Sequence, residues 1–131
     1  MLGDVADTPA DALRVAVADE FGVWSAAEAA RRIGSRGHAP ASVIRRWAAQ
    51  GKLLAVSVAG LDHFPGFDFG SDGRPRPVLV RVAAALPERR GWDLVAWLVS
   101  PQDALGGTRP VDLLDTDPEA VVVAASNSVS P

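Results

Sequence analysis

"SAAEAARRIGSRGHAPASVIRRWAAQG", residues 25–51, holds two short helical patterns around a polar turn. Ser25 stands three positions before Glu28, the spacing of a capping box, so a helix starts there and stops at Gly34. "SRGH" then turns the chain. Pro40 suits the opening of a second helix because it has no N–H to leave unpaired, and Gly51 suits its C-terminal end. Two helices joined by a tight turn are the plan of a helix-turn-helix. At about 100° per residue, Val43, Ile44, Trp47 and Ala48 fall on one arc of the second helix and Ser42, Arg45, Arg46 and Ala49 on the other. The first arc is core. The second is what a major groove accepts: arginine bonds a guanine edge through two donors, and serine reaches phosphate or base.

Outward from this stretch the period changes. In "KLLAVSVAGLDHFP", residues 52–65, Leu54, Val56 and Val58 alternate with small residues until Ala59-Gly60 interrupts, and apolar positions resume at Leu61 and Phe64. That pattern predicts a β-hairpin, and a hairpin after a helix-turn-helix is a wing. "GFDFGSDGRPRP", residues 66–77, reads as a turn-rich linker. Upstream, Thr8-Pro9 opens a helix to about Phe21, with Gly22 as its stop. Downstream, helices are expected over 77–86, 91–100 and 110–114, with a last one capped by Thr116 or Asp117 and started by Pro118. The expected fold is mainly α with a small β-hairpin: an N-terminal helix (1–22), a winged helix-turn-helix-like module (23–70) and a small all-helical domain (71–131).

Charge follows the same division. The net charge is −3, yet from Trp24 to Lys52 the bases Arg31, Arg32, Arg36, Arg45, Arg46 and Lys52 face the single acid Glu28. A local basic field attracts phosphate even in an acidic chain. Ser42, Arg45, Arg46, Lys52, Arg31 and Arg32 are therefore the candidate DNA contacts. Trp47 reads as core.

Enzyme chemistry is not expected. There is no cysteine, and the two histidines, His38 and His63, lie far apart without ligand spacing, so neither a metal site nor a cofactor is expected. Ser57 with Asp62 and His63 lacks a nucleophile elbow. The N-terminus is acidic with no cationic region before an apolar run, and no apolar run reaches about 18 residues. The expectation is a cytoplasmic protein that enters no membrane.

"ALGGTRPVDLL", residues 104–114, is a Gly-Gly turn aimed at a proline-started helix, with Asp112 near its positive end. It lacks the lysine of a phosphate loop. Trp92 and Trp97, five apart, cannot share a helix face. The wider stretch "GWDLVAWLVSPQDALGGTRPVDLLDTDPEAVVVAA", residues 91–125, resembles the toxin-binding domain of Xre/MbcA/ParS-type antitoxins. An aromatic helix, an LGG loop with a P.DLL helix, and a valine- and alanine-rich last helix carry the likeness. The segment 41–86 resembles the companion N-terminal part of one branch of that family.

The resemblance implies a type II antitoxin that neutralises a RES-domain, NAD-consuming toxin by direct contact. It implies Trp97, Leu105, Gly106, Gly107, Arg109, Pro110, Asp112, Leu113 and Leu114 as toxin-binding residues, with Arg109 reaching outward and Leu113 and Leu114 partly in the core. It further implies operator binding and a homodimer or higher toxin–antitoxin complex. Read from the residues alone, the alternative is a stand-alone DNA-binding regulator with a helical dimerisation domain.

Overall fold

The computed structural model describes residues 9–33 and 40–128. The proposed caps at Thr8 and Gly34, the "SRGH" turn with Arg36 and His38, and the last three residues of the tail lie outside them. In chain order the elements are α1 (Pro9–Glu20), β1 (Val23–Trp24), α2 (Ala26–Ile33), α3 (Ala41–Ala49), β2 (Val56–Val58), β3 (Leu61–Pro65), α4 (Pro77–Ala85), α5 (Trp92–Val99) and α6 (Pro118–Asn127). Short 3-10 turns cover Gly66–Asp68, Asp103–Leu105 and Pro110–Leu113.

The capping box forms as its spacing predicts. Ser25 N donates to Glu28 Oε1 at 2.9 Å, and Glu28 N donates back to Ser25 Oγ at 3.2 Å. These bonds hold the Glu28 carboxyl below its ordinary pKa, first through the Ser25 backbone and then through its hydroxyl. On α3, Pro40 is the N-cap, in extended conformation, rather than the first helical residue. β2 and β3 pair antiparallel, Val56 opposite His63 and Val58 opposite Leu61. Ala59 (φ 52°) and Gly60 (φ 80°) join them, the two left-handed residues of a type I′ hairpin turn.

Strand β1 is a feature that sequence periodicity misses, since two residues have no period. It pairs with β3, Val23 opposite Pro65 and Trp24 opposite Phe64, so the sheet order is β1-β3-β2. A helix, a strand, two helices and a hairpin whose second strand returns to the first strand make a winged helix. The mainly helical fold with a small sheet is as expected. α6 starts with Asp117 as N-cap, accepting from Ala120 N at 3.3 Å.

Two clusters form the core. One gathers Ala26, Ala29, Ile33, Ile44, Leu53, Phe64 and Phe69 under the helix-turn-helix. The other gathers α4, α5 and α6 around Val82, Val95, Leu98 and Val121, and includes Val17 of α1, Val56 of β2 and Phe67. This second cluster spans both segment boundaries drawn from the sequence, after residues 22 and 70.

The segment 66–77 is not a linker. Phe67 enters one cluster and Phe69 the other, with Asp68 buried between them. Gly66 lets this segment pass close to α1: its N–H donates to Gly22 O at 2.9 Å, and a Cβ there would meet Phe21 O at 2.0 Å. Its glycine- and proline-rich composition reads as solvated chain, whereas here the turns bring two aromatic rings inward.

Candidate nucleic-acid interface and the Gly-Gly corner

Helix α3 divides as its periodicity predicts. Ile44 is fully buried, while Val43, Trp47 and Ala48 pack against the helix-turn-helix cluster. Ser42, Arg45, Arg46 and Ala49 are exposed. The helix ends with Lys52 N donating to Trp47 O at 2.9 Å across Gly51, which leaves the Lys52 side chain exposed. Among the described residues, Arg45, Arg46 and Lys52 enter no ion pair.

α3 is flanked by a groove on each side. One, of about 690 Å³, lies between Arg45 and Ala49 of α3, Ser25 at the start of α2, and Leu61 and Asp62 of the wing. The other, of about 600 Å³, lies between Trp47 and Gln50 of α3 and Arg74, Pro75 and Arg81. Arg31 and Arg32 are exposed on α2. The Arg32 guanidinium lies 5.8 Å from the centroid of the Trp24 ring, which stacks on Phe69 at 6.2 Å. Arg32 is thus held against an aromatic face, and Arg31 enters no ion pair among the described residues.

The implied toxin-binding residues occupy three different environments. Gly106 (φ 65°) and Gly107 (φ 84°) form an exposed corner where an added Cβ would meet nothing within 4 Å. Gln102 N bonds Thr108 O at 3.2 Å, and Gly107 N bonds Gln102 O at 2.9 Å, so the corner is closed by its own backbone. Only the left-handed backbone requires glycine here. Leu105 and Leu113 are half-buried, whereas Pro110, Leu114 and Trp97 are buried. Trp97 is 4% exposed, and no group among the described residues accepts from its Nε1. Trp92, on another face of α5 as its spacing requires, donates from Nε1 to Ser57 O at 3.0 Å under the Arg14 guanidinium.

Arg109 does not reach outward. Its Nη1 and Nη2 hold Glu20 of α1 at 2.9 and 2.7 Å, and its Nε and Nη2 hold Asp112 at 2.8 and 2.9 Å. These bonds raise the Arg109 pKa and lower those of Glu20 and Asp112. Glu20 is distant in sequence, so no local pattern could reveal that it captures this guanidinium.

Asp68 is the functional-looking residue that sequence reading missed. It is fully buried; Oδ1 accepts from Leu54 N at 2.9 Å, and Oδ2 has no partner among the described residues. Burial pushes its carboxyl well above the usual range, against the lowering effect of the Leu54 bond. Its main-chain O accepts from Arg76 N, and Arg76 Nε donates to Phe67 O at 2.9 Å. The carboxyl therefore ties the hairpin lead-in to the segment before α4. The one available signal was a charged residue between two phenylalanines.

Among the described residues no helix is long and apolar enough to cross a membrane. The architecture is that of a winged helix-turn-helix sharing a core with a small helical unit. The NMR structure of Rv2175c has a similar fold, with a TM-score of 0.65 over 85% of this chain and 83% of that chain at 23% identity. No family model and no curated protein matches the chain.

Proposed function

We propose that this protein binds duplex DNA with α3 in the major groove and acts as a DNA-binding regulator. The observation that carries this reading is the exposed Arg45–Arg46 face, free of ion pairs among the described residues, on the helix that a winged fold presents. A helix of this length fits a groove about 12 Å wide, and each bidentate arginine contact discriminates against a wrong base by about 1–3 kcal/mol. The acidic remainder of the chain limits non-specific affinity, so binding is local to this face. Selection of bound duplexes from a random-sequence library tests it. The expected result is an enriched site of a few base pairs; a wild-type protein that retains no duplex at low salt overturns it.

A second reading, antitoxin action on a RES-domain toxin, draws on the exposed Gly106–Thr108 corner. On that reading the corner is the docking element, and Trp97, Pro110 and Leu114 act from the core by shaping it. Arg109 holds the corner to α1 through Glu20. The protein then represses its own operon through α3 while its helical half holds the toxin. Co-purification with a neighbouring RES-domain protein, lost in Thr108→Arg, supports this reading. Unchanged co-purification in that variant removes the corner from it.

A further inference from the structure

We propose that the turn Phe69–Pro75, through Arg74 acting with Lys52, grips the DNA backbone on the side of α3 away from the wing. This rests on the DNA-binding reading and assigns which part of the fold holds the phosphates. A helix lying in the major groove meets a phosphate wall on each flank, and contacts to those walls set its register.

The two flanks of α3 differ in charge. The wing, from Val56 to Pro65, carries no lysine or arginine, and Asp62 is exposed at its edge. Asp62 lines the groove on that side together with Leu61 and His63, so the wing offers no lysine or arginine to phosphate there and places a carboxylate at the wall. The opposite groove brings Lys52, Arg74, Arg76 and Arg81 together beside Trp47 and Gln50. Two of these four bases are already committed: Arg76 to Asp115 and Arg81 to Glu119. Lys52 and Arg74 are exposed and enter no ion pair among the described residues. They are the bases in that groove left to meet an anion.

The turn is also rigid. Gly70 N donates to Arg74 O at 2.8 Å, Gly73 N to Gly70 O at 3.0 Å, and Phe69 bridges Pro75. Phe69 itself is buried and stacked on Trp24. The neighbouring acid, Asp72, accepts from Arg74 N at 3.0 Å, which turns its carboxylate toward the backbone. Arg74 is thus displayed from a fixed backbone, so its contact requires ordering of the side chain but not of the turn.

The test is fluorescence anisotropy with a short random-sequence DNA duplex between about 50 and 200 mM salt, because phosphate contacts are independent of sequence. Arg74→Ala and Lys52→Ala are each expected to flatten the log–log salt slope by about 1, and the double variant by about 2. Asp62→Ala is expected to keep the wild-type slope and to bind no more weakly. A double variant with the wild-type slope overturns the assignment while DNA binding stands. A wild-type protein without salt-sensitive binding overturns the DNA reading and this assignment with it. Both side chains are exposed, so an unchanged circular dichroism melt separates lost contact from lost fold.

Discussion

Arg109 holds both carboxylate oxygens of Glu20, at 2.9 and 2.7 Å, across 89 residues of sequence. The pair fastens the last residue of α1 to the start of the 3-10 turn Pro110–Leu113, where Arg109 also holds Asp112. Arg109 further lies 5.9 Å from the centroid of the Phe21 ring. The guanidinium thus joins the first helix of the winged module to the corner of the helical unit.

Removal of this clamp is expected to change the response to acid. Arg109 lowers the pKa of Glu20 and of Asp112, in each case first through its hydrogen bonds. A lowered carboxyl pKa adds stability above the unfolded value, and that stability is lost as pH falls through the folded value. Arg109→Ala should therefore melt lower than wild type near neutrality, with the gap closing in acid below the ordinary carboxylate range. Thermal melts across pH measure this, and a gap constant down to the most acid pH contradicts it.

Asp68 gives the opposite sign. Burial raises its carboxyl pKa, so at neutral pH the unfolded chain ionises more readily than the folded one. Its contribution is greatest below the ordinary aspartate value and is lost as pH rises toward the raised folded value. Asp68→Asn keeps an oxygen for the Leu54 N–H but cannot ionise. Denaturant titrations should show the variant gaining on wild type as pH rises from acid toward neutrality; parallel profiles contradict the prediction.

Trp97 and Thr108 should differ sharply in their weight for stability. Trp97 is buried in the larger core cluster, so Trp97→Ala is expected to cost about 3–5 kcal/mol. Trp97→Phe should cost less, since it retains most of the ring and removes the unpartnered Nε1. Thr108→Arg, at an exposed position, should stay within about 0.5 kcal/mol of wild type. Urea unfolding of the three variants gives the order directly; a Thr108 variant as destabilised as Trp97→Ala contradicts it.

Gly66→Ala tests the close passage beneath α1. The added Cβ would meet Phe21 O at 2.0 Å, a backbone atom that cannot swing aside. A loss of about 1–3 kcal/mol is expected from the forced shift. Gly106→Asn, where space is open and asparagine tolerates the left-handed backbone, should cost less. Equal losses at both sites would mean that the approach to Phe21 imposes no constraint.

The helix-turn-helix and its wing were legible because their signals are local. Ser25 with Glu28, the arc of Ile44 and Trp47, and the alternation through Val56 and Val58 each act within a few residues. The exposed arginine face follows from the same periodicity. β1 was hidden because its two residues become a strand only when β3 arrives beside them. Phe67 and Phe69 were hidden because turn-forming neighbours mask residues that divide between two cores. Arg109 read as outward-reaching because its partner Glu20 is contributed by another element. Asp68 was silent because burial of a carboxyl is decided by what packs over it. Local chemistry thus located the helix with the exposed arginine face, while the ties between the modules depend on long-range contacts.

The most direct test of the central claim is anisotropy of wild type and of the Arg45→Ala/Arg46→Ala variant on a library-selected duplex and on a scrambled one. The account predicts that wild type prefers the selected duplex and that the variant loses this preference, at about 1–3 kcal/mol per lost base contact, while melting like wild type. A folded variant that retains wild-type preference would contradict α3 as the reading helix.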